Sequence, residues 1–161
     1  MPTLTARLGV TRAVALSALR VTVTAVTAML VARVFVLPEF YWAPISAIVI
    51  ILSTIDPVTL AWQRFAGTAL GALVGALLAS LTQSRWPAWI VYALGVFACG
   101  ILSPLFRIGS AYRFAAITVT IVLLIARTRS PWIVALHRFI EVSIGIAIAL
   151  IVSRLWPTPA P

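Results

Sequence analysis

Apolar residues run along this chain in six blocks, at about 13–37, 42–55, 65–82, 87–106, 112–126 and 139–156. The first, third, fourth and sixth are close to the ~20 residues that a helix needs to cross a bilayer, and the second and fifth are shorter. Polar or turn-forming joints separate them: Pro38-Glu39, Asp56-Pro57, Gln83-Ser84, Gly109-Ser110 and Ser130-Pro131. Trp42, Trp62, Trp86, Trp89, Trp132 and Trp156 fall near block ends, where an aromatic belt meets the headgroups. The pattern predicts an all-α membrane protein of six transmembrane helices, forming a single transmembrane domain over residues 1–161. The proline-rich stretch 157–161 reads as a disordered tail.

The blocks repeat. Trp62-Gln63-Arg64-Phe65-Ala66-Gly67-Thr68-Ala69-Leu70-Gly71 is matched by Leu136-His137-Arg138-Phe139-Ile140-Glu141-Val142-Ser143-Ile144-Gly145. In both, an aromatic follows Arg, a glycine lies seven residues on, and an apolar helix continues. Tyr41 pairs with Tyr112 at an offset of 71, and Arg64 with Arg138 at an offset of 74. Repeat 1 then covers about 13–82 and repeat 2 about 87–156, with three crossings each. An odd number of crossings turns the second repeat upside down, an arrangement in which transporters place their substrate path between the halves. Arginine counting gives six on the N-terminal side of the membrane and five on the other, which leaves orientation open.

Composition agrees with the membrane assignment. The chain is 63% hydrophobic and 9% charged, against roughly a quarter charged in soluble domains. Mean hydropathy is +1.14. The net charge of +9 is carried by Arg alone, scattered singly along apolar blocks. No basic cluster or soluble module is present to bind nucleic acid. Cys99 is the lone cysteine, which excludes an intrachain disulfide and fits core packing. The N-terminal block contains Arg20, runs long and lacks a small-residue cleavage site, unlike a signal peptide. No nucleotide-binding loop, metal cluster or nucleophile constellation appears, which argues against an enzyme and against a cofactor.

Some arginines cannot leave the hydrocarbon easily. Arg20 and Arg33 are about 20 Å apart on one predicted helix, and Arg113 and Arg127 about 21 Å, against a hydrocarbon core of ~30 Å. A mid-membrane Arg costs at least ~2.5–3.5 kcal/mol on insertion scales. Two readings stand: Arg20, Arg64, Arg113 and Arg138 coordinate an anion in a wet cavity, or they snorkel to headgroups. Arg7, Arg12, Arg85 and Arg154 read as topology anchors. Glu141 follows Arg138 by three residues and shares its helix face. It reads either as a salt-bridge partner or as a titratable group for proton coupling. Asp56 reads as a turn residue or a cap before Pro57, and His137 as an interfacial residue.

The second and fifth blocks are short, and they are the middle helices of the two halves. Paired short or interrupted spans point to a transporter binding site. Ser46, Ser53, Thr118 and Thr120 are their polar residues. Trp42, Tyr112 and Phe114 read either as stacking surfaces for a flat ligand or as interface anchors. Gly67, Gly71 and Gly75, followed by Ala79, line one helix face and let another helix approach, within the monomer or across a dimer.

Three stretches in order resemble the aromatic acid exporter, or fusaric acid resistance protein-like, family. They are Phe40-Tyr41-Trp42-Ala43-Pro44-Ile45-Ser46-Ala47, Arg64-Phe65-Ala66-Gly67-Thr68-Ala69-Leu70-Gly71-Ala72, and Arg138-Phe139-Ile140-Glu141-Val142-Ser143-Ile144-Gly145-Ile146-Ala147. The resemblance covers about residues 20–157, and plant malate-transporting anion channels look like distant relatives. It implies a multi-pass bacterial inner-membrane protein that exports aromatic or other carboxylate anions, with Trp42, Pro44, Arg64 and Arg138 as motif residues. Larger members carry a cytosolic domain or a second membrane unit, so the resemblance implies a homodimer here. The rival expectations are a non-transporting membrane scaffold and a lipid-binding envelope-assembly protein whose arginines hold headgroups.

Overall fold

Two prolines set the frame. Pro57 is the first residue of one long helix and Pro131 of another. Proline at this position loses no hydrogen bond and presets the helical φ. Asp56 caps the first of them: its carboxylate accepts from the Thr59 backbone N–H at 2.8 Å and from the Thr59 hydroxyl at 2.9 Å. The Thr59 backbone N–H holds the exposed Asp56 carboxyl below its ordinary pKa.

The computed structural model describes residues 12–82, 86–125 and 130–156. Its helices are α1 (Arg12–Val34), α2 (Trp42–Ile51), α3 (Pro57–Thr82), α4 (Ala88–Leu105), α5 (Tyr112–Thr120) and α6 (Pro131–Leu155). A 3-10 turn, Gly109–Ala111, leads into α5, and a π-helical turn, Ile121–Ile125, continues it. No strand occurs among the described residues. Arg7, Arg85, Arg127, Arg129, the Gln83-Ser84 joint and the tail 157–161 lie outside the described residues.

The hydropathy blocks differ from the helices at two informative places. α3 and α6 begin about two turns before the apolar blocks at 65 and 139. The charged and polar residues Gln63, Arg64, His137 and Arg138 are therefore inside long helices rather than at their starts. Among the described residues, four helices are long and apolar enough to cross a membrane: α1, α3, α4 and α6. α2 and the segment Gly109–Leu124 are shorter apolar helices. At ~1.5 Å per residue, α2 reaches about 15 Å, half of the ~30 Å hydrocarbon core.

The short helices sit inside. α3 packs against α5 and α6, while α6 packs against α2 and α3. α1 covers α2 and α6, and α4 covers α5 and α3. Glycines set the closest approaches. A Cβ at Gly71 would run into the Ala115 carbonyl oxygen on α5, and one at Gly145 into the Ala43 carbonyl oxygen on α2. Gly67 likewise faces Ala111 and Phe114, and Gly75 faces Val122. Around these crossings Ala28, Ala43, Ala47, Ile50, Val142 and Ile146 form one core cluster. Leu70, Val74, Cys99, Ala115 and Val119 form another.

α1 and α4 end alike. The Val36 N–H donates to the Arg33 carbonyl and the Leu37 N–H to the Ala32 carbonyl, with Val36 at φ 54°. The Arg107 N–H donates to the Pro104 carbonyl and the Ile108 N–H to the Ser103 carbonyl, with Arg107 at φ 59°. These are left-handed helix caps. Neither position is glycine, and the β-branched Val36 is the more strained.

Candidate functional site

Arg64 and Arg138 each lie two turns inside a proline-started helix. At ~1.5 Å per residue that is about 10 Å from the helix start. They are 7% and 2% exposed. Each guanidinium meets an aromatic residue on a short helix. The Arg138 Cζ is 3.4 Å from the centroid of the Trp42 ring, and the Arg64 Cζ is 5.1 Å from that of Phe114. Such contacts are worth up to ~2 kcal/mol or more when desolvated. Beside each ring a small hydroxyl bonds back along its own helix. Ser46 Oγ donates to the Trp42 carbonyl at 2.8 Å, and Thr118 Oγ1 to the Phe114 carbonyl at 2.9 Å. Arg64 additionally donates from Nη2 to Ser46 Oγ at 3.0 Å.

Both arginines face one cavity of about 140 Å³. Trp42 and Phe114 flank it, Ile45, Val49, Ile117 and Val142 give it apolar walls, and Thr68 and Thr118 add hydroxyl-bearing side chains. No carboxylate is among the lining residues. Arg64 Nε and Arg138 Nε and Nη1 are buried with no hydrogen-bond partner. Unpaired guanidinium donors in a small, mostly apolar space are what an anion needs to exchange its hydration for protein contacts.

Glu141, on α6, is fully buried. It makes no ion pair with Arg138 among the described residues. Its Oε1 accepts the Glu39 backbone N–H at 3.1 Å, and its Oε2 has no partner. Glu39 in turn accepts the Trp42 indole N–H on Oε2 at 3.0 Å. Sequence reasoning treats Glu39 as a joint residue only. The sequence shows only its spacing, one helical turn before Trp42, which does not separate it from any other joint residue.

The remaining candidates lie elsewhere. Arg20 is buried on α1 with an unpartnered Nε but does not line the cavity. Arg113 is exposed; it donates from Nη2 to Gln63 Oε1 at 3.4 Å and stacks on Phe114 at 4.7 Å. Tyr112 is 39% exposed, and its ring lies against Gly100 of α4 rather than in the cavity. Phe114, two residues on, takes the position across from Trp42. Trp62, Trp86, Trp89, Trp132 and Trp156 are all exposed on the surface.

The profile of the fusaric acid resistance protein-like family matches residues 25–152. The chain belongs to this family. The matched span covers α2, α3, α5, all but the last three residues of α6, and every residue of the cavity. A curated relative, the inner membrane protein YeeA of Escherichia coli strain K12, is 29% identical over 147 residues. That alignment takes in 88% of this chain and 40% of the relative, so the chain spans well under half of that protein's length. No solved structure matches the chain. Membership in this membrane-protein family accords with the long apolar helices among the described residues.

Proposed function

We propose that this protein is a bacterial inner-membrane transporter or channel that exports organic anions, with aromatic carboxylates as the substrate class. The observation that carries the reading is the pair of buried arginines, Arg64 and Arg138, which hold buried N–H groups without partners and line one cavity that has no carboxylate in its lining. The aromatic and aliphatic walls suit a ring, and the guanidinium edges suit a carboxylate. Location in the inner membrane is taken from the family and from the printed name of the relative.

The proposal includes two inverted three-helix repeats with the cavity between them. Corresponding residues support it. Pro57, Arg64 and Gly71 match Pro131, Arg138 and Gly145 at an offset of 74, while Trp42, Ala43 and Ser46 match Phe114, Ala115 and Thr118 at an offset of 72. Gly71 meets Ala115 and Thr118, and Gly145 meets Ala43 and Ser46. Each half thus lends its short helix to the other half's arginine and glycine.

No motor is required. A membrane potential negative inside drives a monovalent anion outward with ~2.3 kcal/mol per 100 mV. The test is uptake of radiolabelled benzoate by proteoliposomes held at an inside-positive potential. Accumulation of roughly fiftyfold per 100 mV is the limit expected for uncoupled monovalent flux. Uptake no greater than in protein-free liposomes, with anionic lipid co-purifying instead, would favour the headgroup-binding reading and reject transport.

A further inference from the structure

The two guanidiniums of the cavity are held by different means. Arg64 is tied by Nη2 to Ser46 Oγ. Arg138 keeps two unpaired donors, Nε and Nη1, and rests face-on against the Trp42 ring at 3.4 Å, which is van der Waals contact. The plane of that ring therefore fixes the plane of the guanidinium, and with it the direction of the free N–H groups.

Trp42 is the first residue of α2, where little of its own helix restrains it. Its indole N–H is held by the Glu39 carboxylate at 3.0 Å, and the Glu39 backbone N–H is held by Glu141 Oε1 at 3.1 Å. Glu141 lies one turn beyond Arg138 on α6. The contacts close a loop: Arg138 to Trp42, Trp42 to Glu39, Glu39 to Glu141, and back along α6. The opposite end has no such loop. The Phe114 ring carries no N–H, and Gly67 stands where Glu141 does, bringing α3 directly onto the Ala111 carbonyl.

Two carboxylates close to an anion cavity oppose anion binding unless they contribute something else. Neither lines the cavity. Glu141 is fully buried, a placement that costs several kcal/mol for a polar group without compensation. We infer that Glu39 and Glu141 are positioning residues: they latch the Trp42 ring, and the ring aims the free edge of Arg138 at the bound anion. The inference rests on the anion-transport reading of the cavity.

The test uses the full chain in proteoliposomes, with radiolabelled benzoate as probe and initial uptake rates giving an apparent KM and a maximal rate. Glu39→Ala and Trp42→Phe each remove the same hydrogen bond. Each is expected to raise KM about fivefold, the order of one hydrogen bond's net share, with the maximal rate changed less than about twofold. The double variant is expected to be no worse than either single one, because the contact is lost only once. Glu39→Gln retains an acceptor and restores KM to near the parent value. Glu141→Gln does the same for the Glu39 N–H.

An unchanged KM in Trp42→Phe overturns the latch, and so does a Glu39→Gln variant as defective as Glu39→Ala, which would make charge the operative property. Trp42→Phe retains an aromatic ring and stands as the second variant if Glu39→Ala does not fold. Arg138→Ala separates the two levels. Undiminished uptake there rejects the anion site itself, whereas lost uptake there with normal latch variants rejects the latch alone.

Discussion

The Arg138 guanidinium lies over the Trp42 ring across the two halves of the chain, guanidinium carbon to ring centroid 3.4 Å. The contact joins α6 to α2 and turns a buried charge toward the cavity rather than toward lipid. Removing the ring leaves the charge without its covering surface. Trp42→Ala is expected to lose about 2 kcal/mol of stability, read as a melting temperature lower by roughly 4–8 °C in detergent. Trp42→Phe retains most of that stability while losing the indole N–H, so the two variants separate packing from hydrogen bonding.

Among the described residues, Ser46 supplies the one side-chain hydrogen bond that the Arg64 guanidinium makes. Ser46→Ala leaves a buried donor unsatisfied, at a cost of about 1–3 kcal/mol. The expected result is a lower melting temperature, while Ser46→Thr, which retains the hydroxyl, stays closer to the parent. Equal stability of all three proteins by thermal unfolding would contradict the assignment.

The helix crossings are set by glycine. Gly71→Ala and Gly145→Ala place a methyl group against the carbonyl oxygens of Ala115 and Ala43. Both backbones must move apart, an overpacking cost of about 1–3 kcal/mol. Gly100→Ala is the control, because a methyl there meets only the Tyr112 ring at 3.5 Å, an ordinary contact. The first two variants are expected to melt earlier and the control to match or exceed the parent.

Arg113 is exposed and is not among the residues lining the cavity. Its charge lies in solvent, where salt screens it within about 10 Å at 0.1 M. Arg113→Ala is expected to lower benzoate uptake at low ionic strength and to leave it within about twofold of the parent at 0.1 M salt. A loss independent of salt would place Arg113 on the anion path.

Much of this arrangement is legible in the chain. Hydropathy separates the apolar segments, and the Arg-aromatic-Gly spacing marks the two arginines of the cavity. Helix starts are less legible, because Gln63, Arg64, His137 and Arg138 depress local hydropathy. Pro57 and Pro131 carried the correct signal, but a proline after Asp or Ser reads equally well as a turn. Residue type pairs Tyr112 with Tyr41, whereas it is Phe114, two residues on, that lines the cavity with Trp42. Glu39 is illegible for a different reason. Its backbone partner, Glu141, is 102 residues away in sequence, and nothing local distinguishes a latch from a surface carboxylate. Arg20 illustrates the converse: its depth within an apolar helix is readable, whereas the face it presents depends on tertiary packing.

The measurement that bears most directly on the account is benzoate uptake by proteoliposomes carrying the Arg64→Ala/Arg138→Ala double variant, at a fixed potential, alongside its thermal unfolding curve. The account predicts a cooperatively folded protein whose uptake falls to the level of protein-free liposomes. Uptake equal to that of the parent, from an equally well folded double variant, would contradict it.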